Sequence, residues 1–233
     1  MRLNKFLAQA GIASRRKSDE LIKMATTEVN GKLCLDPAFN VEPKDRVFFD
    51  GRRLSLIQDK IVLMLNKPEN VITTVKDTDG RRTVMDYIQT KVRVTPIGRL
   101  DKNTKGLLLF TNHGDLHQYL THPKNKIPKD YEVIIEGKLD PNNIKKISNG
   151  IYIGYKEYGK AEILENNTHK GRSTIIMRLR QGKKREIRRI FFRLRKKLLN
   201  LKRIGFSNIT LGNLKEGQYR QLTRKEIDNL YDI

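Results

Sequence analysis

The chain has 233 residues, with 48 Lys and Arg against 26 Asp and Glu, so its formal net charge is +22. That length holds one large domain or two smaller ones, and a hydrophobic share of 37% is too high for a disordered basic tail. A pI near 10.1 is too basic for a typical metabolic enzyme and calls for a polyanionic partner, either nucleic acid or an anionic membrane surface.

One cysteine, Cys34, excludes an intrachain disulfide. Between Leu33 and Leu35 it is expected to be a small buried hydrophobe. A lone Cys and four scattered His lack the close ligand pairs of a metal site, so no metal is expected. The longest apolar runs, Ile61 to Leu65 and Leu107 to Phe110, are too short to span a bilayer. Acids arrive early, at Asp19 and Glu20, and no apolar signal region precedes them. The expectation is a cytoplasmic protein with no membrane partner.

In chain order, Leu3, Phe6, Leu7 and Ala10 recur at helical spacing, and Gly11 is a stop signal. Ser14 is a candidate N-cap for a second helix carrying Leu21 and Ile22. Asn30-Gly31 is a hairpin signal, and Val47 and Phe49 alternate before a second turn at Asp50-Gly51. Two helices and a small sheet make a compact unit. Its polar positions Arg2, Lys5, Arg15, Arg16 and Lys17 read equally well as a solvated helix face or an RNA surface. This stretch, with Arg2-Leu3-Asn4-Lys5-Phe6-Leu7, Ala13-Ser14-Arg15-Arg16-Lys17 and Val29-Asn30-Gly31, resembles the S4 type of RNA-binding domain. The resemblance implies that those five basic residues meet RNA phosphates, which position a protein without reading sequence.

After Asp59 the pattern changes to the apolar run Ile61 to Leu65, an expected strand followed by Asn66-Lys67-Pro68. Residues 1–59 hold 11 basic and 8 acidic residues, net +3, and residues 60–233 hold 37 and 18, net +19. A second strand is expected at Val71 to Val75, rich in β-branched residues, and a short helix from a Thr83 cap through Gln89. Next comes Gly98-Arg99-Leu100-Asp101, then Thr104-Lys105-Gly106-Leu107-Leu108. A carboxylate among basic residues, in a loop leading into an apolar strand, is either a turn aspartate bonded to local backbone or a chemical group.

Lys129 to Ile135 reads as a strand ending at Gly137, with Tyr131 near its start as a core or edge aromatic. Asp140-Pro141 opens a helix that turns Ile144 and Ile147 inward and ends at Gly150. A strand at Thr174 to Leu179 precedes Gln181-Gly182-Lys183-Lys184-Arg185-Glu186-Ile187-Arg188-Arg189. Ile187, Ile190, Phe191 and Leu194 give that helix one apolar face, with Arg189 and Arg193 opposite and Arg188 at the edge. Residues 178–203 hold 13 basic residues and one acid, net +12, interleaved with Ile, Phe and Leu, which favours a folded, partly buried surface over a tail. Thr223 and Glu226 form a capping box for a last short helix.

Gly98-Arg99-Leu100-Asp101 with Thr104-Lys105-Gly106-Leu107-Leu108 resembles the catalytic motif of RNA pseudouridine synthases, in the branch containing RsuA and RluB. Lys67-Pro68, Thr111-Asn112, Gly114-Asp115 and His122-Pro123 fall where that branch has similar residues. Arg185 to Arg189 looks more like the RluB side. The resemblance runs from about Arg2 to Leu230. It departs at Asn70, where glycine is frequent, and at Arg195-Lys196, where a Gly-His turn is common.

By this resemblance the fold class is α+β. A two-helix plus sheet RNA-binding module at 1–59 precedes a catalytic domain at 60–233, with a mixed, mainly antiparallel β-sheet flanked by short helices. The resemblance implies Asp101 as the catalytic group, attacking C1′ or removing the 2′ proton. It makes Arg188 the partner that orients Asp101, and Tyr131 the ring that stacks on the extracted uracil. Arg99 would fill the space left by the flipped base. Lys67, Lys183, Lys184, Arg185 and Arg189 join the expected RNA contacts. No cofactor is implied. The expected partner is ribosomal RNA or a ribosome assembly intermediate, bound by a monomer. Large-subunit rRNA is the first expectation, with small-subunit rRNA or a binding-only assembly factor as alternatives.

Overall fold

The computed structural model describes residues 1–57 and 59–231 and resolves two compact units. The first comprises Met1–Lys60 with two short later segments, Thr90–Val94 and Asn112–Gly114; the second comprises the rest.

The first unit opens with α1 (Leu3–Gln9) and α2 (Arg15–Lys23), the latter capped where Ser14 Oγ accepts from the Lys17 amide. Four short strands follow: β1 (Thr27–Val29), β2 (Lys32–Leu33), β3 (Val47–Phe49) and β4 (Arg52–Arg53), in the order β2-β1-β3-β4. Both hairpin turns use positive φ, at Asn30-Gly31 and Asp50-Gly51, matching the twist of antiparallel strands. Leu3, Leu7, Ile22, Val29, Val41 and Val47 form the core. Cys34 packs against it but is only partly buried, between exposed Leu33 and Leu35, which corrects the expectation of a buried hydrophobe.

The second unit is built on nine described strands: β5 (Val62–Lys67), β6 (Thr95–Pro96), β7 (Lys105–Thr111), β8 (Lys129–Glu136), then β11 (Glu162–His169), β12 (Arg172–Leu179), β13 (Leu198–Phe206), β14 (Ile209–Thr210) and β15 (Tyr219–Gln221). Between them lies a separate hairpin of β9 (Ile151–Gly154) and β10 (Glu157–Gly159). The main path is β11-β12-β8-β13-β7-β5-β15, antiparallel except for β13 beside β7. Helices α3 (Gly114–Thr121), α4 (Pro141–Asn149), α5 (Glu186–Arg193) and α6 (Arg224–Asn229) flank it. Leu107, Leu109, Val62, Met64 and Phe206 pack with α3 and α6 residues in one cluster. Val133, Ile135, Ile175, Met177, Ile187, Ile190 and Phe191 form another.

Several local expectations hold. Asp140 caps α4 and Gly150 ends it, Thr223 and Glu226 form a capping box, and Asn70 takes a left-handed φ of 62°. α5 stops at Arg193, with Arg195 turning at φ 54°. Two do not. Val71 to Val75 is no sheet strand; it makes one isolated bridge, Ile72 to Thr83, while Thr73 turns inward. The helix after Thr83 is a 3-10 turn, Val84–Tyr87, held by a Thr83–Asp86 capping box.

β13 fixes the geometry of the sheet centre. Its backbone crosses Gly106 so closely that a Cβ there would lie 2.1 Å from the Arg203 carbonyl oxygen. Gly106 also has a φ of 103°, so only glycine lets β7 run parallel beside β13 at this point.

Candidate active site

The loop from Gly98 to Thr104 leads into β7 and carries Asp101, whose carboxylate is partly exposed. The loop is anchored by residues that look unremarkable in the sequence. Thr73 Oγ1 donates to the Leu100 carbonyl at 2.8 Å and accepts from the Leu100 amide at 3.2 Å. Lys67, at the end of β5, is fully buried. Its ammonium donates to the carbonyls of Pro68 at 2.8 Å, Thr104 at 3.0 Å and Lys102 at 3.3 Å. The expectation that Lys67 contacts RNA is therefore corrected: β5 is covered on both sides, and the side chain is spent on loop carbonyls. Burial pulls its pKa down to about 8, opposed by Glu69, Asp101 and Glu216.

Two arginines approach the loop from α5. Arg185, the N-cap in a left-handed conformation, brings a guanidinium nitrogen to 3.9 Å from Asp101 Oδ2. Arg188 donates to the Asn103 carbonyl at 2.6 Å and to Thr104 Oγ1 at 3.4 Å. The closest cation to the carboxylate is thus Arg185, whereas Arg188 grips the loop two residues further on. Burial lowers the Arg188 pKa, with Arg185 adding repulsion and Asp101 and Glu69 opposing. Glu186 is buried where α5 begins and accepts from the Lys183 and Lys160 amides and from Gln181. Burial raises its pKa.

Tyr131 sits near the start of β8 and pairs in register with Arg203 of β13. Arg203 is fully buried; its Nε donates to the Leu107 carbonyl at 2.7 Å, and Tyr131 is its neighbour across the β8–β13 ladder. Burial lowers the Arg203 pKa, with Tyr131 opposing. Asp101, Arg185, Arg188 and Lys67 therefore meet on one segment, and Tyr131 reaches its continuation at Leu107 through Arg203. Lys129 lies beside this cluster, 5.7 Å from the Phe206 ring centre, with its pKa brought down to about 8 by burial and by Arg203.

The other expected contacts divide. Arg2, Arg15, Arg16, Lys17, Arg99, Lys184 and Arg185 are exposed, with Lys17 paired to Glu20 at 2.6 Å. Lys5 is half-buried, and the Lys183 ammonium rests on the Tyr158 carbonyl. Arg189, expected on a solvated face, is instead clamped. It bonds Glu157 at 2.6 Å and the carbonyls of Ile153, Gly154 and Lys184, because β9–β10 lies over that side of α5.

No motif in the sequence marks Thr73 or Arg203. Thr73 lies in phase with Val71, and Arg203 in phase with Leu201, so each falls on the inward side of its segment. That alternation was the available signal.

These features define the class. A family model described as RNA pseudouridylate synthase matches residues 61–192, and the S4 domain matches residues 1–47. The chain belongs to the RNA pseudouridylate synthase family, whose members are isomerases. It is 35% identical over 232 residues to the ribosomal large subunit pseudouridine synthase B of Bacillus subtilis (strain 168), covering 98% of this chain and 95% of that protein. An RNA pseudouridine synthase of Aquifex aeolicus (strain VF5) is 36% identical over 235 residues, covering 99% and 94%. A crystal structure of a pseudouridylate synthase aligns over 99% of both chains with a TM-score of 0.70 and 26% identity.

Proposed function

We propose that this enzyme converts a specific uridine of large-subunit ribosomal RNA to pseudouridine, with Asp101 as its catalytic group. The observation that carries the reading is the clamped loop. A partly exposed carboxylate, flanked by Arg185, sits on a loop whose carbonyls are held by the buried Lys67 ammonium and by Arg188. Such preorganisation keeps a reacting group in place without cost at the moment of reaction.

In the reaction the N1–C1′ bond breaks, the uracil turns, and C5 bonds to C1′. The C5 proton leaves and N1 ends protonated, so atoms and redox state balance. Asp101 attacks C1′ or takes the 2′ proton. Arg185 and Arg188 hold the carboxylate and its loop, and Tyr131 stacks on the extracted base. Arg99 fills the vacated space, while Arg2, Lys5, Arg15, Arg16, Lys17, Lys183 and Lys184 hold phosphates. Residues 1–59 act as the placement module and residues 60–233 as the catalytic domain. No described helix is long and apolar enough to cross a membrane, which accords with action on ribosome precursors in the cytoplasm. The Arg185-Glu186-Ile187-Arg188-Arg189 pattern and the Bacillus subtilis relative support the large subunit as substrate.

The test is chemical mapping of pseudouridine in rRNA from cells lacking the protein, repaired by wild type and challenged with Asp101→Asn. One lost position in large-subunit rRNA is expected, with Asp101→Asn unable to restore it yet binding RNA within a few-fold of wild type. A lost position in small-subunit rRNA would reverse the substrate assignment. Restoration by Asp101→Asn would remove Asp101 from the chemistry.

A further inference from the structure

The β9–β10 hairpin carries three tyrosines that no part of the core uses. Tyr155 is 91% exposed, Tyr158 59% and Tyr152 43%, and Phe192 of α5 is 79% exposed. Their arrangement is fixed. Tyr152 and Tyr158 face each other across the hairpin with ring centres 5.5 Å apart. Arg193 stacks at 5.2 Å from the Tyr152 ring centre and Arg189 at 5.4 Å from that of Tyr155. The hairpin is pinned to α5, since Arg189 bonds the carbonyls of Ile153 and Gly154, and Gly159 lies so near Ile190 that a Cβ would come within 2.7 Å. At the tip, Tyr155 and Lys156 both hold positive φ, 53° and 57°, where Asn-Gly is the usual choice. A bulky aromatic kept at a left-handed turn position and pointed at solvent is a local conflict of the kind found at functional surfaces.

We propose that this hairpin, with Arg193 beside it and Arg189 pinning it to α5, is a stacking platform for unpaired RNA bases next to the target uridine. Rings interleaved with cations suit single-stranded RNA, because every base has a π-face and every nucleotide a phosphate. A duplex would offer only its phosphates, its bases being stacked inside. α5 links the platform to the chemistry: Arg185 reaches Asp101, and Arg189 begins the platform four residues later, about 6 Å along the axis. That is near one nucleotide step, so the platform takes the bases adjoining the flipped uridine. The proposal deepens the RNA-modifying reading and rests on it.

The chain has no tryptophan, so Tyr155→Trp introduces a single indole reporter. Titration with a ten-nucleotide single-stranded RNA should quench it, and titration with a ten-base-pair RNA duplex should leave it bright. In parallel, Tyr152→Ala/Tyr155→Ala should weaken the single strand about 5- to 100-fold by fluorescence anisotropy and the duplex less than twofold, while Tyr155→Phe stays near wild type. Equal losses for both RNAs would reduce the patch to plain electrostatics and overturn the platform. Unchanged affinity for both, or a wild type that self-associates through the patch in sedimentation while the variant does not, would also overturn it. Tritium release by the wild-type enzyme is measured separately: without it the modifying reading fails, whatever the oligonucleotides show.

Discussion

Lys67→Met removes one charge and preserves the length of the side chain. The ammonium donates to three carbonyls, two of them on the Asp101 loop. Hydrogen bonds from a charged donor contribute ~1.5–3 kcal/mol each, or ~4.5–9 kcal/mol for three. Burying the ammonium offsets roughly 3 kcal/mol, the equivalent of holding the amine at about 8 instead of 10.5. The difference is a loss of ~1–6 kcal/mol, and ~3 kcal/mol is expected in urea unfolding. The freed carbonyls of Lys102 and Thr104 also release the loop on both sides of Asn103. A reacting group displaced by about 1 Å loses ~100-fold in rate. Tritium release from rRNA labelled at uridine C5 should show that fall in kcat, with RNA affinity within about threefold. A variant within ~0.5 kcal/mol of wild type and within about threefold in kcat would refute the role assigned to Lys67.

Gly106→Ala drives a methyl into the β13 backbone at a φ that disfavours side chains; a loss of ~3–5 kcal/mol or failure to fold is expected, and a loss below ~1 kcal/mol would mean the strands are not so close. Arg203→Gln should lower kcat about tenfold or more by loosening Tyr131. In a double-mutant cycle with Tyr131→Phe, the two losses should be less than additive, whereas full additivity would separate them. Lys129 has a native pKa near 8, below its unfolded value, so between pH 8 and 10.5 the unfolded chain binds more protons and stability gains with pH. Wild type should gain on Lys129→Met by ~2 kcal/mol between pH 7.5 and 9.5 in urea unfolding. An unchanged difference would place the ammonium in water.

Local structure was the part most legible in the sequence. Ser14, Asp140 and Thr223 announce helices because a cap is settled within four residues. The apolar face of α5 was readable for the same reason. What escaped were contacts between residues far apart in the chain. Lys67 reads as a surface cation until the Lys102 and Thr104 carbonyls, more than thirty residues on, are folded over it. Arg203 looks like one more member of a basic run; its phase with Leu201 marks the inward side, but not the distant Leu107 carbonyl that it meets there. Arg189 does lie opposite the apolar face of α5, but a helix pattern cannot reveal that a hairpin covers that side as well. The family resemblance points to Asp101 and to Arg188 as its partner, but not to Arg185 as the cation that comes nearest to it.

The same contacts change what the +22 means. The densest basic stretch, residues 178–203, holds 13 cations, with Lys183, Lys184, Arg185 and Arg189 as its expected RNA contacts. Yet Arg178 is paired to Asp130 at 2.7 Å, Arg189 is held by Glu157 and three carbonyls, Arg188 grips Asn103, and Arg203 is buried. Four of the 13 cations are thus committed to building the site. A guanidinium with several donors can cross-link carbonyls of separate segments in a way that an apolar side chain cannot. Sequence charge therefore overstates the charge that meets RNA. The salt dependence of binding counts only the phosphates neutralised, so its slope reports the cations still on the surface, such as Lys184 and Arg193, rather than the formal surplus.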